Sequence, residues 1–463
     1  LSTALLWFRR DLRLDDNPAL AAALAGSDRL LPLYIYEPEA PGGASRWWLE
    51  ASLTALDAEL HRRGSRLFVA YGASEPVLRA LFTATGARRL LWNHRYEPAA
   101  AARDAALRER LEASGITVER YGAALLGEPW EGRKEDGTPY RVFTPYWRAR
   151  QRAGFDLRLW QAPAQLPPPP LVDSADVSAF GVARPPAWAA ALLRHWQPGA
   201  EGARQRLESF AAGPLADYAT GRDTPAAPAT TRISPHLAFG EVSPRRIATV
   251  AMEAAEAAGG RAGAEAFLRQ LGWREFAYHL LYHFPDTPDA PLNPRFLRMA
   301  WRDEPAALRA WQRGETGVPL VDAGMRELWT TGWMHNRVRM VTASWLSKHL
   351  LLPWQAGARW FMETLVDADL ANNTLGWQWV AGCGADAAPW FRILNPVRQG
   401  ERFDPEGRYV RRWLPALRDL PSRWVHCPWR APTPPGDYPP LQVGLREGRE
   451  RALAAYRRIG AGR

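Results

Sequence analysis

The sequence predicts an α/β domain with a parallel sheet over residues 1–130, a long connector over 131–197 and an all-helical domain over 198–463. Three observations predict it. Short apolar runs alternate with helical segments through the first 130 residues, a proline-rich stretch breaks that pattern, and beyond it helical segments follow one another with strand signals nearly absent. At 463 residues the chain also exceeds the usual size of a single hydrophobic core.

In chain order, LLWF (5–8), LLPLYIY (30–36), LFVAY (67–71) and RLLWN (89–93) read as strands buried on both faces, as in a parallel sheet covered by helices. The first helix has both ends marked, with Asn17 as N-cap, Pro18 at the first helical position and Gly26 at its end. No GxGxxG follows the first strand and no GxxxxGK(S/T) occurs anywhere, which excludes a routine dinucleotide fingerprint and a P-loop. QAPAQLPPPP (161–170) can continue neither a helix nor a central strand and favours extended polyproline geometry. There is no internal repeat.

The composition, 47% apolar and 23% charged, is that of a soluble globular protein. No apolar run reaches membrane-spanning length and the first thirty residues lack the order of a signal peptide, so the expected location is intracellular. Two cysteines, Cys383 and Cys427, in unrelated contexts exclude a disulfide framework and a four-cysteine metal or iron–sulfur site. A net charge of +10 points weakly toward a polyanion, while 23 tryptophans exceed what packing requires.

Three segments carry candidate chemistry. DADLANNTLGWQWVAGCG (367–384) mixes carboxylates, amides and tryptophans. On a helix Asn373 and Trp377 share a face, with Asp367 and Asp369 near its start, where negative charge is favoured. Helix capping and core packing explain either feature alone, and a D-x-D metal site lacks a further ligand at suitable spacing. In TGWMHNRVRM (331–340), Asn336, Arg339 and Met340 fall on one helical face, and the guanidinium can pair with a carboxylate such as Asp367. TTRISPHLAFGE (230–241) is a turn-rich run ahead of a helix, able to hold a phosphate.

These segments, together with WFRRDLRLDDNPAL (7–20), SRWWL (45–49), GWREF (272–276), TGVPLVDAGMRELW (316–329), FRILNPVRQGERFD (391–404) and YVRRWLP (409–415), resemble the photolyase/cryptochrome flavoproteins over nearly the whole chain. The resemblance implies a Rossmann-like antenna domain followed by a helical domain that holds folded FAD. Tyr218, Thr230, Thr231, Arg232, Ile233 and Ser234 match its phosphate- and ribose-side contacts, and Arg274, Asn336, Arg339, Asp367, Asp369 and Asn373 match groups around the isoalloxazine and adenine. Asn373 stands where repair members have Asn, plant cryptochromes Asp and animal cryptochromes Cys. Trp377, Trp354 and Trp301 match an electron-hopping chain from the surface to the flavin.

The implied activity is light-driven repair of cyclobutane pyrimidine dimers in ultraviolet-damaged DNA, with a cryptochrome-type photoreceptor as the rival and repair of the 6-4 photoproduct as a third reading. Trp273, Trp379 and Met340 match the dimer pocket, and Arg337 a contact to flanking phosphate. The 6-4 branch carries a histidine pair where this chain has Asn336 and Met340. Gln270 departs from the cyclobutane pattern, which has Glu there, so the resemblance implies slower repair and a higher yield for Gln270→Glu. An antenna chromophore is implied, reduced folate first and a deazaflavin second; Ala99 and Ala100 replace the Asn and Glu of one folate mode. The protein is expected to act as a monomer with no obligate protein partner, in the cytoplasm and on the bacterial nucleoid when bound to DNA.

Overall fold

The structure is a computed structural model that describes residues 2–37, 43–172, 187–192, 194–258, 260–386 and 391–460. The apolar runs near the N-terminus form a five-stranded parallel sheet, β1 (Thr3–Phe8), β2 (Arg29–Tyr36), β3 (Phe68–Tyr71), β4 (Arg89–Asn93) and β5 (Thr117–Tyr121), in the order β3-β2-β1-β4-β5. Central β1 sets Leu5 opposite both Leu31 and Leu90. Alternate residues then feed two separate cores: Leu5 and Trp7 pack with Leu33 and Trp92 on one face, Leu6 and Phe8 with Leu30 and Leu91 on the other. Burial on both faces is why these runs are continuously apolar. The sequence expectation missed β5, because TVERY sits at the edge and is only half buried, with Glu119 paired to Arg89 at 2.7 Å.

Helix α1 (Pro18–Leu24) starts as expected, the Asn17 side chain accepting from the Leu20 N–H at 3.2 Å. It closes one residue early, on Ala25, with Gly26 following. Helices α2 (Gly43–Arg62), α3 (Ser74–Thr85) and α4 (Pro98–Glu112) complete the crossovers.

The stretch 161–170 has no helix or strand, as its prolines dictate, but the connector is not featureless. It contains helix α5 (Phe143–Ala153), which packs on the long helix Arg261–His283 through a stack of Phe143 on Trp273 at 3.8 Å. Residues 173–186 of the connector lie outside the described residues.

Buried polar groups join the sheet region to the helices. Arg13, fully buried, donates to the Asp16, Gly240 and Ala123 carbonyls. Gly240 has φ +66°, and a Cβ there would lie 2.0 Å from the Arg10 carbonyl, so only glycine fits. From the SRWWL segment, Ser45 donates to the Leu365 carbonyl at 3.1 Å and Trp48 to Glu241 at 2.9 Å. Among the described residues no helix is long and apolar enough to cross a membrane.

Glu275, on helix 261–283, accepts the N–H groups of Leu126 at 2.9 Å and Gly127 at 3.2 Å. Burial pushes its carboxyl up to about 7, against the pull of neighbouring Arg274. A carboxyl that holds its proton more tightly in the folded state stabilises most below its unfolded value of 4.5, and that stability is lost as pH rises through about 7. Glu275→Gln keeps the acceptor oxygen and has no charge to bury. Thermal melts are expected to show a higher Tm for the variant at pH 8 and little difference at pH 4.

Candidate flavin and DNA site

Helix Leu370–Ala381 is set by its first and last turns. Asp369 caps it, accepting from the Asn372 N–H at 2.8 Å and the Asn372 amide at 2.7 Å, and Gly382 closes it at φ +84°. The other Asp369 oxygen accepts the Tyr278 hydroxyl. Asn373 and Trp377 both face helix Trp354–Thr364, as their spacing predicts: the Asn373 amide donates to the Ala358 carbonyl at 3.0 Å, and the Trp377 ring lies against Gly357.

A Cβ at position 357 would fall 2.1 Å from the Trp377 ring. Gly357→Ala is therefore expected to displace that indole and to cost about 1–3 kcal/mol of stability by overpacking. Urea unfolding checks the cost, and the Trp377 contribution to the near-ultraviolet circular dichroism checks the displacement.

Asp367 is the hub of a second group. It accepts from Arg339 at 2.8 Å, the pairing expected from sequence, and from the Ser234 hydroxyl at 2.7 Å. Ser234 in turn accepts the Trp333 indole N–H at 3.2 Å. Arg232 adopts φ +51° and lies between two indoles, its guanidinium carbon 4.8 Å from Trp196 and 4.6 Å from Trp333. Burial pushes this guanidinium below its usual range, only partly offset by Glu327 and Asp367. Its Nε and Nη2 and the second Asp367 oxygen are buried without a partner. Unsatisfied donors and a lone carboxylate oxygen there call for a ligand that offers an anionic group and polar hydrogens together.

The remaining sequence candidates are placed as follows. Thr231 accepts the Ile233 N–H at 3.2 Å through its hydroxyl, shaping the turn at Arg232, with Thr230 half-buried beside it. Tyr218 is buried against Phe210 and Phe267. Arg274 donates to the Ala124 carbonyl at 2.5 Å and lies over the Tyr278 ring at 4.9 Å. His335, which burial pushes down to about 4, is neutral and caps helix Asn336–Ser344 by accepting the Arg337 N–H at 3.2 Å. Exposed Asn336 reaches the Met340 sulfur at 4.0 Å. Arg337 pairs with Asp223 at 2.6 Å and covers Phe403 at 4.3 Å.

Gln270 is engaged at both ends: Arg222 donates to its oxygen at 2.9 Å and its amide donates to the Ala266 carbonyl at 3.2 Å. Trp273 and Trp379 are half-buried, Trp273 braced by Phe143.

Of the tryptophan series, Trp377 and Trp354 are buried and Trp301 is half-buried, all packed in one apolar cluster. The ring neighbours of Trp377 are Phe361 at 5.1 Å and Trp311 at 6.1 Å. Sequence reasoning missed Trp311, Tyr278, Trp333 and Arg222, whose partners lie far off in the chain; no local pattern announces them. Among the described residues no group of three or more His, Cys, Asp or Glu gathers to hold a metal.

A helical site with buried, unsatisfied arginine donors beside an acid–amide helix, docked on a parallel α/β domain, fits the flavin site that the sequence resemblance implies. Comparison with known proteins carries this further. Residues 4–170 match the DNA photolyase domain and residues 267–458 the FAD binding domain of DNA photolyase. The chain is 44% identical over 98% of its length, and 97% of the other's, to the deoxyribodipyrimidine photo-lyase of Agrobacterium fabrum. It is 39% identical over 97% of its length to Cryptochrome-1 of Arabidopsis thaliana, covering 69% of that protein. The crystal structure of a bacterial class III photolyase from Agrobacterium tumefaciens superposes with a TM-score of 0.95 at 44% identity, covering 99% of this chain and 98% of that one. The chain belongs to the photolyase/cryptochrome family. FAD is its cofactor, and the residues fit it: the unpaired Arg232 donors suit a pyrophosphate, and the free Asp367 oxygen suits a donor on ring or ribose.

Proposed function

We propose that the protein repairs cyclobutane pyrimidine dimers in ultraviolet-damaged DNA, as a light-driven carbon–carbon lyase. Bound FAD in its reduced form supplies a photo-excited electron donor, so the protein needs no nucleophile. Arg232, Thr230, Thr231, Ser234, Ile233 and Tyr218 hold its phosphate and ribose side. Arg274, Arg339, Asp367, Asp369 and Asn336 surround its ring and adenine. Asn373, neutral and anchored on the Ala358 carbonyl, presents an amide rather than a charge, which favours the reduced state. Trp301, Trp354 and Trp377 refill the site with electrons from the surface.

Trp273 and Trp379 pack the extruded dimer; extrusion by photolyases is a general property of base-flipping enzymes. Base–aromatic contacts of this kind contribute roughly 1–3 kcal/mol each. Arg337 is held by Asp223 and must leave that carboxylate to reach a phosphate, so the net charge of +10 has to attract the strand first. The observation that carries the choice of lesion lies at positions 336 and 340. There Asn and Met contact each other, and no histidine pair is present to protonate a 6-4 photoproduct.

The photoreceptor reading is favoured by one specific observation, the 39% identity to Cryptochrome-1 of Arabidopsis thaliana. One experiment separates the readings. Reduced protein is mixed with DNA carrying either lesion and illuminated with blue light. Loss of cyclobutane dimers in the light only, with 6-4 photoproducts intact, is expected; a flavin photocycle without loss of dimers overturns repair. Binding is expected to weaken as salt rises. An antenna in the α/β domain, a reduced folate or else a deazaflavin, and action as a monomer on DNA belong to the same proposal. The absorption spectrum and the sedimentation of the purified protein test both.

A further inference from the structure

Two buried tyrosines lie between the Asp369 carboxylate and the protein surface, in ring contacts that flavin binding does not require. Tyr278, on helix 261–283, meets Tyr96 edge to face at 5.6 Å and 87°. Tyr96, which follows β4, lies 6.4 Å from the ring of Trp130, and Trp130 is 38% exposed. His94 and the exposed Tyr282 flank Trp130, each at 5.6 Å. Three aromatic rings in succession thus lead from the carboxylate that caps helix 370–381 to solvent.

The hydroxyl groups give this series a chemical direction. Oxidation of a phenol by one electron makes its proton strongly acidic, so a buried tyrosine is readily oxidised only with a base in hydrogen-bond contact. Each tyrosine here has its own. Tyr278 donates to Asp369, and Tyr96 donates to Glu128 at 2.9 Å. Among the described residues Tyr409 and Tyr438 have the same pairing, with Glu327 and Asp322 at 2.6 Å each, yet no second aromatic ring stacks on or edges against either. Those two satisfy a buried hydroxyl and lead nowhere.

We propose that Tyr278, Tyr96 and Trp130 form a second electron-entry route, from the surface of the α/β domain to the flavin site, separate from the tryptophans on the other side of helix 370–381. It rests on the reading of that site as the FAD site. One electron leaves Tyr278 for light-excited oxidised FAD, and the phenolic proton passes to Asp369. Tyr96 re-reduces Tyr278, which recovers its proton from Asp369, while the proton of Tyr96 passes to Glu128. Trp130 re-reduces Tyr96, Glu128 returns that proton, and the exposed indole takes an electron from a thiol in solution, which is oxidised.

Glu128 makes the route sensitive to pH. The groups facing it are Tyr96, Glu131, Arg245 and Arg150, and burial outweighs the two arginines to push its carboxyl up to about 7. Protonated, it can still accept the hydrogen bond of Tyr96 but cannot take up its proton; transfer is expected to slow as pH falls below about 7.

The test uses FAD-loaded protein carrying Trp377→Phe, which interrupts the tryptophan series. After a flash on the oxidised flavin with thiol present, transient absorption is expected to show the narrow band of a neutral tyrosyl radical and continued flavin reduction. Adding Tyr96→Phe keeps the ring and leaves the Asp369 contact of Tyr278 alone. It is expected to lower flavin reduction several-fold and to strand the radical on Tyr278; Trp130→Phe is expected to slow radical decay. Unchanged reduction in Tyr96→Phe, or no tyrosyl signal in the parent, overturns the route while bound FAD still upholds the site. Failure of the parent to bind FAD overturns both.

Discussion

Asp367→Ala is expected to yield a protein that folds less stably and binds FAD at least tenfold more weakly, a loss of about 1.4 kcal/mol or more in binding. The reason is the position of one carboxylate. Asp367 is nearly buried, and one oxygen takes both the Arg339 guanidinium and the Ser234 hydroxyl. Its removal leaves two donors without an acceptor and a cation without its counter-charge. Deleting one partner of a buried pair costs about 3 kcal/mol or more, because the other charge is left uncompensated. Arg339 keeps some access to water, which holds the loss to the lower end. Asp367→Asn retains an acceptor and should fall between. Urea unfolding of the apoprotein and fluorescence titration with FAD measure the two effects separately; wild-type affinity in Asp367→Ala would show that the unpaired oxygen faces no ligand.

How much of this was legible in the sequence depended on distance along the chain. The buried strands, the Asn17 cap and the Asp369 cap are local features, written in consecutive residues, and all formed. The pairing of Arg339 with Asp367 spans 28 positions and was read because Arg339 lies on a helix whose face follows from spacing and Asp367 stands just before the start of another. Edge strand β5 was invisible because an edge needs no apolar run, and α5 because Pro145 in its first turn looks like a break although a proline is tolerated there. Contacts that cross from one half to the other left no mark. Nothing in GWREF tells that Glu275 receives Leu126 and Gly127, or that Phe143 braces Trp273.

Those crossings have a common effect. Helix 261–283 carries Gln270, Trp273, Arg274 and Tyr278 on successive turns, and each meets a partner supplied from another part of the chain: Arg222, Phe143, Ala124 and Asp369. Two of these partners, Phe143 and Ala124, come from the connector and the sheet region, so the site is not held by the helical half alone.

Gln270→Glu shows what such a partner does. By itself the substitution is expected to raise the quantum yield of dimer repair only toward acid pH, because Arg222 stands 2.9 Å from the oxygen at that position. A carboxyl beside a guanidinium keeps its charge, its pKa held below the ordinary carboxylate range. At neutral pH the new group would be a carboxylate, facing a dimer that has just become an anion, and it can neither donate a hydrogen bond nor give up a proton. As pH falls through the lowered pKa the carboxyl protonates and the gain appears. Replacing Arg222 with Gln as well removes the charge that holds the proton off and should move the gain toward neutral pH. Repair yields measured across pH for wild-type, Gln270→Glu and Gln270→Glu/Arg222→Gln decide it. An equal gain at every pH, with or without Arg222, would show that this arginine does not govern the residue it touches.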